Sequence, residues 1–160
     1  MAELADLPLS VRLFLKAYPW RRIDPVPSAP LAKPLTTARI ALVSTAGLVL
    51  PGQPRFDDDV KGGDSSSREV AFDADPATLI DAHRSKSYDH AGVRRDANLA
   101  FPIGRLRELA DDGEIGGVNH RHFSFMGSIT APGQLMRDSA PSVAEALAGD
   151  RVDAVLLVPI

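Results

Sequence analysis

"GDRVDAVLLVPI", residues 149–160, decides how the rest of the chain is read. From Val152 to Ile160 it is almost continuously aliphatic, and it has the length of a strand buried on both faces. The stretch directly before it, "PGQLMRDSAPSVAEALAGD", reads as a helix that kinks or restarts at Pro141 and stops at Gly149. A helix feeding straight into such a strand is the pattern of a parallel sheet with crossover connections. Ligands in open sheets of this kind sit at the carboxyl ends of the strands, so chemistry is expected where this strand ends.

The segments further out agree. "ARIALVSTAGLVL" (38–50) is a first core strand ending in a glycine turn at Gly47. "SREVAF" (67–72) and "ATLIDAHRS" (77–85) read as strands separated by the turn "DADP". "FPIGRLRELADDG" (101–113) is the clearest helix, with Pro102 at its first position and Gly113 just past its end. Ile103, Leu106, Leu109 and Ala110 form its apolar stripe, and Arg105, Arg107 and Glu108 its wet face. "GGVNHRHFSFMGSI" (116–129) is a further strand ending at Gly127. The expected fold over 38–160 is therefore α/β, a mainly parallel sheet with flanking helices, Rossmann-like or doubly wound. Residues 1–37 read as a proline-rich arm. A short helix, "LSVRLFLKAY", carries Val11, Phe14 and Leu15 on one face, and an extended segment with five prolines follows. Such an arm either packs on its own subunit or is exchanged between the subunits of a homo-oligomer.

Composition narrows the function. Hydrophobic residues make up 44% and charged residues 24%, ordinary for a globular domain, and the net charge of -3 provides no basic footprint for nucleic acid. No apolar run reaches the length needed to span a membrane, and the N-terminus lacks the basic-then-apolar order of a secretion signal, which makes the cytoplasm the default. With no cysteine, these 160 residues hold no disulfide, thiolate ligand or cysteine nucleophile.

Three polar groups are candidates for chemistry. His83, His90, His120 and His122 fall close together in sequence among several aspartates, a set suited to acid–base work or to a metal, yet no compact metal motif is present. His120 and His122, two apart on a strand, would share a face. "GGDSSSREV" (62–70) has the glycines and serines of an anion-binding loop without the order of a P-loop, so a plain flexible loop stands beside that reading. "SYDHAGVRRDANLAFPI" (87–103) sets Asp89, His90, Arg94, Arg95, Asp96 and Asn98 before the best helix, as a binding loop or a solvated connection.

In this order, "ALVSTAGL", "GGDSSSREV", "DHAGVRRDANLAFPIGRLRELADDGEIG", "HFSFMGSI" and "VDAVLLVP" resemble the glycine/sarcosine/betaine reductase selenoprotein B family, which includes the selenium subunit of D-proline reductase. The resemblance covers Pro34 to Pro159. It implies reductive cleavage of a C–N bond in a small amino-acid or amine-like substrate, with thioredoxin-like or reductase-complex proteins as partners. It also implies a selenocysteine, or a cysteine in its place, just after the last strand. The 160 residues contain neither. The expectation is thus that Ile160 precedes a UGA codon read as a stop, and that the chain as it stands is catalytically inactive. A non-catalytic binding or regulatory homologue, or a small His/Asp-based metal enzyme, are the other readings. By motif position the substrate-binding residues are Asp64, Ser65, Arg68, His83, Asp96, Asn98 and His122, with the Arg68 guanidinium matched to a substrate carboxylate.

Overall fold

The computed structural model describes residues 4–19, 22–86 and 88–160 and divides between Pro30 and Leu31. Trp20 and Arg21 of the proline-rich segment, and Ser87, lie outside the described residues. Among the described residues of the first unit, α1 (Leu9–Ala17) is an α-helix that leaves Leu9, Val11, Leu13 and Phe14 exposed. The division comes earlier than the 37/38 boundary read from sequence. Residues 35–37 form a 3-10 turn belonging to the second unit, where Leu35 O accepts from Gly116 N at 2.9 Å.

In chain order the second unit contains β1 (Arg39–Ser44), β2 (Leu48–Val49), β3 (Ser67–Ala71), β4 (Ile80–Asp81), α2 (His90–Arg95), α3 (Ile103–Asp111), β5 (Gly117–Val118), β6 (Arg121–Phe125), α4 (Ala140–Gly149) and β7 (Ala154–Val158). β1 is the central strand. One edge runs parallel to β7, from Ile40↔Ala154 to Ser44↔Val158. The other meets β5 at Arg39↔Gly117 and then β6 at Val43↔Phe123, also parallel. β3 closes the far side of β6 as an antiparallel strand, while β2 and β4 form a separate two-residue ladder. The fold is α/β with a mixed, mostly parallel sheet and flanking helices, as the sequence indicates.

Strand alternation sorts the core into two layers. Ile40 and Leu42 pack with Phe101, Ile103 and Leu106 on the α3 side, and Ala41 and Phe123 with Val143 and Leu147 on the α4 side. A fully buried leucine or phenylalanine contributes roughly 1.5–3 kcal/mol, so the wholly inaccessible Leu42, Phe101 and Ile103 anchor the first layer. Helix α3 begins after Pro102 and ends before Gly113, whose φ of +74° suits a residue past a helix end. The π-helical turn Leu135–Ser139 leads into α4 beside Pro141, where the sequence signals a restart.

Four expectations are corrected. β7 is not buried on both faces: Val155, Leu156 and Leu157 are exposed, Leu157 by 68%. The inner side chains of α4, Val143 and Leu147, pack with Ala41, Phe123 and Phe125, and among the described residues no strand pairs the outer edge of β7. The "ATLIDAHRS" strand shrinks to Ile80–Asp81, because Asp75 caps a 3-10 turn over Pro76–Thr78. On α3, Leu109 is exposed, and Arg107 turns back to donate to the carbonyls of Phe72 and Ala74. His120 and His122 do not share a face: His120 lies before β6 against Asp150, whereas His122 is inside.

Entry into β1 depends on a close backbone approach. A methyl on Gly116 would collide with the backbone of Thr37 and Ala38, with no side chain there to move aside. Gly116→Ala is expected to cost about 1–3 kcal/mol through overpacking. A lowered urea midpoint would show it, and an unchanged midpoint would mean the 35–38 segment shifts freely.

Candidate functional site

The carboxyl ends of β1, β6 and β7 are stitched together. Thr45 N donates to Val158 O (3.1 Å), Ile160 N to Thr45 Oγ1 (2.8 Å) and Gly47 N to Phe125 O (2.8 Å). Against them lies the segment that follows β4, attached through Ala82 N to Gly47 O at 3.1 Å. Between the two is a cavity of about 380 Å³, bordered by His83, Tyr88, Asp89, Leu99, Ser128 and Ile160 among others. Ser128 holds the left-handed φ of +59°, sparsely populated by non-glycine residues, and its carbonyl accepts from Arg84 Nη2.

The histidine wall is built on one carboxylate. Asp81, with 4% of its side chain exposed, accepts from His90 Nδ1 at 2.6 Å and from His83 N at 3.1 Å, and pairs with Arg94 Nε at 3.2 Å. His90 Nε2 reaches Ser85 O at 3.0 Å. The His83 ring lies 4.5 Å from the Tyr88 ring, and Tyr88 meets His90 edge-on at 4.9 Å. His83 Nδ1 accepts from Ser85 N at 3.1 Å, which places the ring proton on Nε2. Burial lowers the pKa of His83; Asp81 opposes the shift, and His90 and Arg84 add to it. Burial, then Asp81 and Asp89, push the Tyr88 hydroxyl up to about 12. His83 Nε2 and Tyr88 Oη are both buried without a hydrogen-bond partner. A buried donor in that condition costs about 1–3 kcal/mol; Arg107 Nε, Asn119 Oδ1, His122 Nε2 and Ser124 Oγ share the condition, and what sets His83 and Tyr88 apart is that both border the cavity.

Of the seven residues selected from sequence, only His83 borders this cavity. Asp64 and Arg68 fasten the 54–66 loop. Asp64 accepts from Asp57 N, Ser66 N and Ser66 Oγ, and Ser65 is buried beside it. Burial acts to raise the pKa of Asp64 but is outweighed by the Ser66 hydroxyl, those two amides and Arg68, so the net direction is downward. The Arg68 guanidinium donates to Pro54 O, Arg55 O, Ser67 O and Ser66 Oγ and lies over the Phe56 ring. The preceding Gly62 and Gly63, at φ of +90° and +101°, let this loop take Thr130 N and Ala131 N onto Gly62 O. Asp96 and Asn98 cap the turns around α3: Asp96 accepts from Asn98 N, and Asn98 Oδ1 from Gly104 N. They border a second hollow of about 370 Å³ with Arg94, Arg95 and Arg105. His122 is in the core, where its Nδ1 takes the Leu42 amide. Tyr88 and Ser128 are not among the sequence candidates, and Asp81 enters there only as one of the aspartates near the histidines. The run of His and Asp over 81–90 was the available signal, but no local pattern shows that one aspartate gathers both histidines. Among the described residues no three His, Cys, Asp or Glu side chains are grouped as metal ligands, and no helix is long and apolar enough to cross a membrane.

A mostly parallel α/β sheet with a cavity of mixed polar and apolar lining at its strand ends has the architecture in which open sheets place small-molecule sites. The chain belongs to the glycine/sarcosine/betaine reductase selenoprotein B family, whose model matches residues 8–159. It is 33% identical over 128 residues to the D-proline reductase subunit gamma of Acetoanaerobium sticklandii, covering 80% of this chain and 51% of that one. Over 144 residues it is 32% identical to the glycine reductase complex component B subunit gamma of Symbiobacterium thermophilum, covering 88% and 32%. The sarcosine reductase complex component B subunit beta of Peptoclostridium acidaminophilum is 29% identical over 148 residues, covering 90% and 33%. The chain thus spans between a third and a half of the length of these relatives. No solved structure matches it.

Proposed function

We propose that this chain forms the substrate-binding face of a reductase subunit that cleaves the C–N bond of a small amino-acid or amine-like substrate. The reducing selenocysteine or cysteine enters at the carboxyl end of β7, beyond Ile160. One observation carries the reading: Ile160 borders the same cavity as His83, Tyr88 and Asp89, at the strand ends where ligands bind. The buried and unpartnered His83 Nε2 beside Ile160 fits a group arriving there. That group would supply the nucleophile for the carbon bearing the amine, with electrons delivered by a thioredoxin-like or reductase-complex partner. The residues of this chain bind and orient the substrate. Asp89, whose Oδ1 also accepts the Gly92 amide at the start of α2, sets a carboxylate at the rim for an ammonium group, and Val93 and Leu99 flank its carbon skeleton. For Arg68 to hold a substrate carboxylate it would have to release its carbonyl partners, so His83 takes precedence over it here. The exposed aliphatic face of β7 is the surface on which we place the remaining polypeptide of such a subunit, since the matched region covers only 51% and 32% of two of the relatives.

The nucleotides after codon 160 test this directly. UGA followed by an open frame with a downstream cysteine is expected, while UAA or UAG would favour a non-catalytic binding homologue. The 160-residue polypeptide itself, lacking any thiol or selenol, is expected to release no ammonia or amine from glycine, sarcosine or betaine, and to open no D-proline ring to 5-aminopentanoate, with dithiol present. Turnover by it would place the chemistry on other residues.

A further inference from the structure

We infer that His83 is a positioning residue whose Nε2–H donates a hydrogen bond to the reducing thiolate or selenolate; this rests on the reading just given. Its ring is fixed before any such group arrives. The Ser85 amide occupies Nδ1, and Tyr88 stacks on one face. The proton is therefore on Nε2, where it meets no acceptor although His83 is only 7% exposed. Gly127 lies beside that nitrogen. A methyl group on Gly127 would lie 2.5 Å from His83 Nε2, 2.9 Å from Thr45 O and 3.1 Å from Ile160 O. The ring nitrogen, the end of β1 and the carbonyl of Ile160 thus converge on one point that only glycine leaves approachable. His83 and Ile160 both border the one cavity, so a residue joined to Ile160 would start at the cavity that His83 borders.

The charges around the ring are Asp81, His90 and Arg84, with Asp89 on the cavity rim. Burial is the largest influence and lowers the imidazole's pKa from its ordinary value, against the opposing charge of Asp81. A neutral N–H aimed at a chalcogen stabilises its anionic form and so lowers its pKa, and the anion is the nucleophile. Gly127 is then required twice, for the approach of His83 and for the room the incoming group needs.

A single cysteine appended after Ile160 of the otherwise unchanged chain is the probe, read by the pH dependence of its alkylation with iodoacetamide. With His83 present the alkylation midpoint is expected about one pH unit lower than in His83→Phe, which is about tenfold more thiolate below the midpoint. His83→Gln, which retains a side-chain N–H, is expected to recover most of that difference. Identical profiles in all three proteins overturn the inference. The unsubstituted ring gives a second readout independent of any folding defect. The His83 Hε2 proton resonance is expected to move downfield as the appended thiol ionises, and a resonance that stays in place overturns the inference. Both outcomes differ from failure of the functional reading, which the codon after Ile160 decides.

Discussion

Between pH 7 and pH 4.5 the fold is expected to lose about 2 to 3 kcal/mol through His122 alone. The His122 side chain is wholly inaccessible, and its Nδ1 accepts the Leu42 amide at 3.0 Å, filling a place in the β1 ladder. Burial, then the charge of Arg107, lower its pKa to about 4, with the Asn119 backbone opposing and His120 adding a little. Protonation would add a charge with no carboxylate beside it and turn the Leu42 acceptor into a donor. The unfolded chain takes up this proton near pH 6.5, while the folded chain resists it until about pH 4. Stability is therefore complete above 6.5 and falls as the pH drops through that window. His83, lowered in the same direction, adds to the loss. Asp150 acts outside the window: its hydrogen bonds from Arg121, aided by Asn119, hold it at about 2, so its contribution is lost only below the ordinary carboxylate range. Urea midpoints at pH 7 and 4.5 measure the effect. In His122→Asn, which keeps an acceptor for Leu42 without titrating, most of the slope should vanish. Equal slopes in the two proteins would remove His122 as its source.

Local signals are legible in the sequence and neighbour-dependent ones are not. β1, α3 with Gly113 past its end, and the restart near Pro141 are encoded in consecutive residues, through aliphatic runs, helix periodicity and capping chemistry. The exposure of β7 is not local. Its aliphatic run is the same whether or not an element covers it, and here the apolar face of α4 lies against Phe123 and Phe125. Side-chain destinations are equally non-local. Arg68 has the geometry for a substrate carboxylate, but nothing in "GGDSSSREV" shows that the carbonyls of Pro54 and Arg55 take its guanidinium first. The pairing of His122 with Leu42, eighty residues away in sequence, likewise appears only once β1 and β6 are adjacent.

Asp81→Ala is expected to be the substitution most damaging to the cavity, with a stability cost of about 2 to 3 kcal/mol. The carboxylate joins three parts of the wall: His83 through its backbone amide, the start of α2 through His90, and the end of α2 through Arg94. Its loss does not weigh equally on them. With 67% of its side chain exposed, Arg94 can rehydrate, and His90 at 29% can do so in part. The His83 amide cannot, because its residue is buried under Tyr88 and Gly127. The damage should therefore centre on residues 82–90. Amide exchange at His83 is expected to accelerate at least about tenfold in Asp81→Ala, while Leu42 and Val43 in β1 change only with global stability. Asp81→Asn keeps an acceptor for that amide and gives up the charge, so it should fall between the two. Unaltered exchange at His83 in Asp81→Ala would show that the ring is held by Tyr88 and the Ser85 amide without the carboxylate. The donor would then stay in place while the acidic anchor became dispensable.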